Sequence, residues 1–254
     1  MSVYHIIPGK GKPDPSEKLM PLYTTGYPRS GNTWLGRLLS DLLRSPLQTH
    51  VGAGMEWFGK YHDGGHVIRK KHIPSYGDEY PDMISDGRVV FIQRDPRDIA
   101  VSAMYYNSML ATEDNLMHVI STMVNLKART DIKFYHNVGE YEAWIRSYAD
   151  NHSAATANTK YELLHKYPVL ELQRILRHLA GIEVDDEWVT ECYERQRFDN
   201  WKDRYDHSMR KGIVGDWKNH FTRKPAKFIA DHLNKLMMEQ GYIKDYNWWI
   251  ERPE

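Results

Sequence analysis

Three segments of this chain hold residues whose types and spacing suit the binding of anions. The first, Gly26-Tyr-Pro-Arg-Ser-Gly31-Asn32-Thr33, has two glycines separated by four residues and then a hydroxyl. That is the spacing of a phosphate-binding loop, except that Asn32 stands where such loops carry their lysine. Glycines let successive backbone N–H groups turn inward at a helix start, where the helix dipole adds positive potential. A kinase or ATPase also needs a cation on the β- and γ-phosphates and a Mg²⁺ held by the Thr and a separate Asp. Here the cation within the loop is Arg29. Such a seat suits a ligand with one phosphate at that end and no metal. The competing reading is a tight turn in which Ser30 or Asn32 caps the helix.

The second segment, Arg94-Asp-Pro-Arg-Asp98-Ile-Ala-Val-Ser102, follows directly on the apolar run Arg88 to Gln93. Pro96 fits a first helical turn, which sets Arg94 at a strand end and Ser102 about a turn into the helix. A forked permanent cation beside a neutral hydroxyl suits a second, separate phosphate, against the plainer reading of a surface Arg–Asp network. The third segment is Arg210-Lys211-Gly212-Ile-Val-Gly215-Asp216-Trp217-Lys218-Asn219. From Lys202 to Lys227 there are eight Lys or Arg against three Asp, in a chain whose 34 basic and 34 acidic residues otherwise balance. Its glycines permit close backbone approach to a ligand, whereas a solvated basic loop would need neither.

The elements that must position these residues read as alternating short strands and helices. Leu22 to Thr25 is a strand, followed by the glycine loop and a helix over Thr33 to Arg44 with leucines at helical spacing. His66 to Arg69 and Arg88 to Gln93 are further strands, and a fourth is expected over Ala154 to Thr159, although that sequence is a poor strand former. Helices are expected over Asp98 to Leu110, Asn115 to Lys127, Val138 to Asp150, Pro168 to Ala180 and Pro225 to Gln240, with a long ordered loop over Phe198 to Gly215. The pattern predicts an α/β fold, a single domain with a central parallel sheet flanked by helices. Residues 1–18 read as a flexible lead-in and 19–254 as the folded domain.

Composition narrows the function. The zero formal net charge gives no global field toward nucleic acid or an anionic membrane. A single cysteine, Cys192, forms no internal disulfide, and its acidic neighbours argue against a reactive thiol. No apolar run of about 18 residues and no secretory pattern is present, so a cytoplasmic protein without a membrane span is expected. His62 and His66 flank Asp63, but Gly64 and Gly65 break any helix that would bring both imidazoles to one metal, so no metal is expected.

Taken together, the motifs resemble the PAPS-dependent sulfotransferases, the cytosolic type in particular. Tyr27 to Trp34 is similar to that family's 5′-phosphosulfate loop, Arg94 to Ser102 to its 3′-phosphate motif, and Arg210 to Asn219 to its C-terminal signature. The resemblance implies a fold related to nucleotide kinases and a sulfuryl transfer from PAPS (3′-phosphoadenosine 5′-phosphosulfate) to a hydroxyl of a small-molecule acceptor, leaving PAP. It implies Arg29, Ser30, Gly31, Asn32, Thr33 and Trp34 at the donor's 5′ end, Arg94, Ser102, Arg210, Lys211 and Gly212 at the other phosphate, Trp34 and Phe198 stacking the adenine, and Tyr161 near the nucleotide. Lys70-Lys71-His72-Ile73-Pro74 is similar to the family's lysine-x-histidine-x-proline segment, making His72 the general base. Lys70 and Arg29, the latter in place of the family's loop lysine, become the electrostatic groups at the breaking S–O bond.

The family's dimer motif is degraded here. Lys218 and Thr222 keep its register, but Arg223 and Lys227 follow, which leaves the oligomeric state open. The rival readings are a P-loop kinase with Asp95 as its metal carboxylate, and a non-catalytic nucleotide-binding module. The acceptor pocket is expected among Trp57 to His66, Tyr105 and Tyr106, the helix around Trp144 and Tyr148, and Asp199 to Ser208. Phenol, sterol, sugar, glycolipid and polyketide alcohols all stay open as acceptors.

Overall fold

The computed structural model describes residues 4–6, 20–49, 54–56, 58, 66–124, 140–151, 153–201 and 211–254. Strands β1 (Tyr4–Ile6), β2 (Met20–Thr25), β3 (Leu47–Gln48), β4 (Met55–Glu56), β5 (His66–Lys70), β6 (Arg88–Gln93), β7 (Thr156–Lys160) and β8 (Ile182–Val184) alternate with helices. The helices are α1 (Asn32–Leu42), α2 (Tyr80–Asp86), α3 (Pro96–Tyr106), α4 (Glu113–Met123), α5 (Tyr141–Ala149), α6 (Tyr161–Lys166), α7 (Pro168–Ala180), α8 (Asp186–Arg195) and α9 (Arg223–Glu239). The main sheet has the order β4-β3-β5-β2-β6-β7 and is parallel apart from the β3–β4 edge pair.

Alternation along the central strands builds both cores. On β6, Val89 and Phe91 point into one apolar cluster while Val90 and Ile92 point into the other; on β2, Tyr23 and Leu22 divide the same way. The first cluster is completed by α3, α4, α5 and α9, the second by α1, α6, α7 and α8. A parallel sheet covered on both faces requires near-continuous apolar strands, and β6 supplies them. The α/β expectation is met.

β7 shows tertiary context overriding propensity. Thr-Ala-Asn-Thr-Lys pairs with β6 from Val89↔Thr156 to Gln93↔Lys160. Small side chains let α7 pack closely over it, and Thr159 Oγ1 donates to Glu171 Oε1 at 2.7 Å. The lead-in expected over residues 1–18 contains a strand at Tyr4–Ile6, where the Tyr-His-Ile run meets the open edge of β8 and pairs with it in parallel; the remainder of that stretch lies outside the described residues.

Register aligns the functional loops. Thr24 pairs with Lys70, Thr25 with Phe91 and Gln93 with Lys160, so β2, β5, β6 and β7 release their chains at one edge, the carboxyl ends where open α/β sheets hold ligands. Helix α1 must be held against that edge by Leu35, Leu39 and Leu42, all fully buried. Leu39→Ala should therefore lower the unfolding free energy by about 2–5 kcal/mol in a urea titration; a change below about 1 kcal/mol would mean that α1 does not carry the core as described.

Candidate active site

At that edge lies one cleft of about 520 Å³, lined by residues from all three motifs and by Lys70 and His72. The first motif forms a turn closed by Ser30 N–H to Tyr27 O at 3.0 Å. Gly31, at φ 97°, is the N-cap of α1, and no side chain caps that helix. Asn32 does not cap it: its Nδ2 donates to Lys71 O at 2.6 Å, tying the loop to the end of β5. The capping reading therefore fails, and the first N–H groups of α1 have no side-chain cap among the described residues. Gly31 is needed twice over, since a Cβ there would lie 2.6 Å from the Tyr161 ring and its φ is in the left-handed region.

The first and second motifs share a wall of the cleft. Arg94 Nη1 donates to Arg29 O at 3.2 Å and Nη2 to Ile213 O at 3.0 Å, bridging the first and third motifs. Arg29 Nε in turn donates to Ser102 Oγ at 3.1 Å, and its guanidinium lies 4.4 Å from the centre of the Tyr106 ring. Arg94 stacks over Tyr161 at 4.2 Å. Asp98 fastens the third motif by accepting from Gly215 N at 2.7 Å and Trp217 N at 2.9 Å, which sets Lys211 to Val214 over the cleft.

Charge is unbalanced here. Among the described residues the lining carries Arg29, Arg37, Lys70, Arg94, Arg197 and Lys211 against one carboxylate, Asp199. Burial and then Arg29 lower the Lys70 pKa, and Lys70 Nζ donates to Thr33 Oγ1 at 3.2 Å. His72 is pushed down to about 4 by burial and then by Lys70, with Arg29 adding and the Gly26 carbonyl opposing. Its Nδ1 lies 2.8 Å from Gly26 O. A carbonyl only accepts, so Nδ1 carries the hydrogen and Nε2 is the basic nitrogen.

Of the sequence-predicted residues, Arg29, Gly31, Asn32, Thr33, Trp34, Lys70, His72, Arg94, Ser102, Tyr161, Phe198, Lys211 and Gly212 all line this cleft. Ser30 does not; it is fully buried beneath the loop with Oγ unpartnered. Arg210 lies outside the described residues, as do Trp57 and 202–208. Trp144 and Tyr148, expected around the acceptor, belong to the core instead: Trp144 packs edge-on to Tyr27 and Tyr148 stacks on Phe91 at 4.0 Å. An aromatic-rich amphipathic helix reads the same in sequence whether its rings face a ligand or a sheet.

Four lining residues escape the sequence reading, namely Arg37, His165, Tyr193 and Arg197. A signal existed for the first two. Arg37 follows Thr33 by four positions on α1, and His165 follows Tyr161 by four on α6, so each shares a helix face with a suspected residue. His165 stacks on Trp34 at 4.6 Å, and its pKa falls to about 4 through burial, then Arg94 and Arg197.

A polyanion fits these groups. Arg94, which lines the cleft, keeps its Nε as a buried donor without a hydrogen-bond partner among the described residues. Asp95, the carboxylate a kinase would use on a metal, is ion-paired with Arg97 at 2.6 Å and caps α3 by accepting from Arg97 N. No group of three or more His, Cys, Asp or Glu suited to a metal occurs among the described residues, and no described helix is long and apolar enough to cross a membrane.

Comparison with known proteins identifies the family. The model of the sulfotransferase domain matches residues 21–241. Sulfotransferase 1A1 of Canis lupus familiaris is 25% identical over 261 residues, covering 85% of this chain and 83% of the relative. Sulfotransferase 2A1 of Rattus norvegicus is 25% identical over 246 residues, covering 81% and 80%. Among solved structures, mouse sulfotransferase SULT7A1 complexed with PAP superposes with a TM-score of 0.66 at 19% identity, over 87% of this chain and 85% of that one. Retinol dehydratase in complex with androsterone and inactive cofactor PAP gives 0.64 at 16%, over 86% and 80%. The chain belongs to the sulfotransferase domain family and is a transferase.

The Asp98 contacts are open to a direct check. Asp98→Ala should leave the Gly215 and Trp217 amides without their acceptor, so that their hydrogen exchange quickens at least about tenfold while α7 amides keep theirs. Unchanged protection at both positions would remove Asp98 as the fastener.

Proposed function

We propose that this chain transfers a sulfuryl group from PAPS to a hydroxyl of a small-molecule acceptor, with His72 as general base. The observation that carries the reading is the convergence of the 5′ seat, the 3′ seat and His72 on one cationic cleft. PAP in the solved relatives supports the choice of donor.

The chain's own groups then take distinct tasks. The α1 start with Gly31, Asn32 and Thr33 holds the 5′ phosphate by backbone N–H groups and helix dipole. Arg94 and Ser102, with Lys211 from the basic loop, hold the 3′ phosphate. Trp34 and Phe198 bracket the adenine, with Gly212 making room: a Cβ there would lie 2.7 Å from Phe198. When bound, PAPS supplies the activated sulfuryl group.

Lys70 and Arg29 stabilise the negative charge that grows on the bridging oxygen as its bond to sulfur breaks. Arg29 stays charged throughout and acts as a clamp, not a proton donor. His72 Nε2 takes the acceptor's hydroxyl proton as the new S–O bond forms. Its neutral state at pH 7 follows from the depressed pKa, and the Tyr106 ring in the cleft lining favours an apolar or ring-bearing alcohol. The kinase reading loses its metal carboxylate to the Asp95–Arg97 pair.

His72→Ala should keep PAP affinity within about threefold and lose about a hundred- to ten-thousandfold in labelled sulfuryl transfer from PAPS; undiminished turnover would remove His72 as base. The same residue sets a pH signature. With a folded value of about 4 against an unfolded 6.5, its neutral ring contributes stability that is present above pH 6.5 and lost as pH falls through about 4. Denaturant titrations at pH 7 and 4.5 should thus differ less in His72→Gln than in the unmodified chain.

A further inference from the structure

We infer that Gln196, which does not line the cleft, is a positioning residue that fixes the two adenine-bracketing walls, Trp34 and Phe198, relative to each other; this rests on the donor site proposed above. Gln196 ends α8 and is fully buried. Its side-chain Nε2 donates to Asp41 Oδ2 and to Phe58 O, each at 2.9 Å. Its main-chain oxygen accepts from Trp34 Nε1 at 2.9 Å. Two residues further on, the chain turns into the short 3-10 segment Phe198–Asn200.

One residue therefore grips α1 at two points, Trp34 and Asp41, separated by seven positions or roughly 10 Å along the helix. Sliding or rotating the end of α8 against α1 would break one contact or the other. Asp41 is itself fixed, being fully buried and paired with Arg195 through Nη2 at 2.9 Å and Nε at 3.0 Å. The indole is held in its plane by the Gln196 bond at its edge and by His165 stacked on one face. Tyr161 and Tyr193 pack edge-on to the same indole, and Phe198, pressed against Gly212, is delivered by the same anchored chain.

The amide's contribution is one of direction more than of stability. Gln196 Oε1 is buried without a partner, a penalty that an apolar side chain of equal length would not carry. Gln196→Met should accordingly fold while letting the two walls drift.

The test compares two ligands by calorimetry: PAP, and 1,4-anhydroribitol 3,5-bisphosphate, which presents two phosphates on the same ring without a base. In Gln196→Met, PAP should bind about tenfold more weakly, the scale of one buried hydrogen bond, while the base-free ligand stays within about twofold. In transfer assays KM for the donor should rise with kcat nearly unchanged. In a Trp34→Phe background, which lacks the indole N–H, the effect of Gln196→Met should shrink. Gln196→Asn, too short to reach Asp41, provides the same ligand comparison in a milder variant should the methionine form not fold. Unchanged PAP affinity, or equal weakening of both ligands, would overturn the role of Gln196 and leave the donor reading intact. Failure of the unmodified chain to bind either bisphosphate would overturn both.

Discussion

Positive charge concentrated in one cleft is the constraint on which the rest of the structure depends. Arg29, Arg37, Lys70, Arg94, Arg197 and Lys211 converge there from five separate stretches of chain, and burial, followed by the neighbouring Arg29, lowers the pKa of Lys70. Gathering like charges out of water is unfavourable unless the scaffold holds them and a ligand offsets them. The holding is visible: Arg94 is fixed by two main-chain carbonyls and flanked by Asp98 at 3.9 Å, while Lys211 pairs with Asp216. Arg29 sits in the left-handed region at φ 72°, a strained setting for a non-glycine residue that the Arg94 bond to its carbonyl helps to maintain.

The sheet turns this local chemistry into geometry. Parallel pairing of β5, β2, β6 and β7 brings four strand ends to one edge, and each ends in a functional segment: Lys70 to His72, the glycine loop, Arg94 and Tyr161. Lys70 and His72, two residues apart across a strand end, therefore enter the cleft from one direction while the α1 start enters it from another. Burial, and then the neighbouring Lys70 and Arg29, depress the His72 pKa to about 4, which keeps the imidazole unprotonated at neutral pH.

Much of this was legible in sequence where a single local rule dominates. The strand Arg88–Gln93 and the helix Pro168–Ala180 have the expected bounds, because an apolar run beside a proline-started amphipathic period admits one solution. The three motifs were legible because glycine spacing and forked cations have few other uses in combination. What depends on three-dimensional partners was not. The strand Thr156–Lys160 is made by β6 and not by its own residues, and Tyr4–Ile6 is made by its pairing with β8. Trp144 and Tyr148, expected at the acceptor, lie in the core because of the face that α5 turns to the sheet, which ring content does not reveal. Gln196 carries no motif at all; its importance rests on two contacts with a helix more than 150 residues earlier.

The sulfotransferase family is settled by the match over residues 21–241, and the donor site is where the chemistry of this particular chain can be tried. Calorimetric titration of the chain with PAP, with AMP and with Mg²⁺–ATP asks whether the cleft holds both ends of one adenosine bisphosphate. Two seats sharing the Arg29–Arg94 wall require PAP to bind at least about a hundredfold more tightly than AMP, since the 3′ phosphate engages charged donors worth about 1.5–3 kcal/mol each. Equal affinity for PAP and AMP, or tighter binding of Mg²⁺–ATP than of PAP, would contradict it.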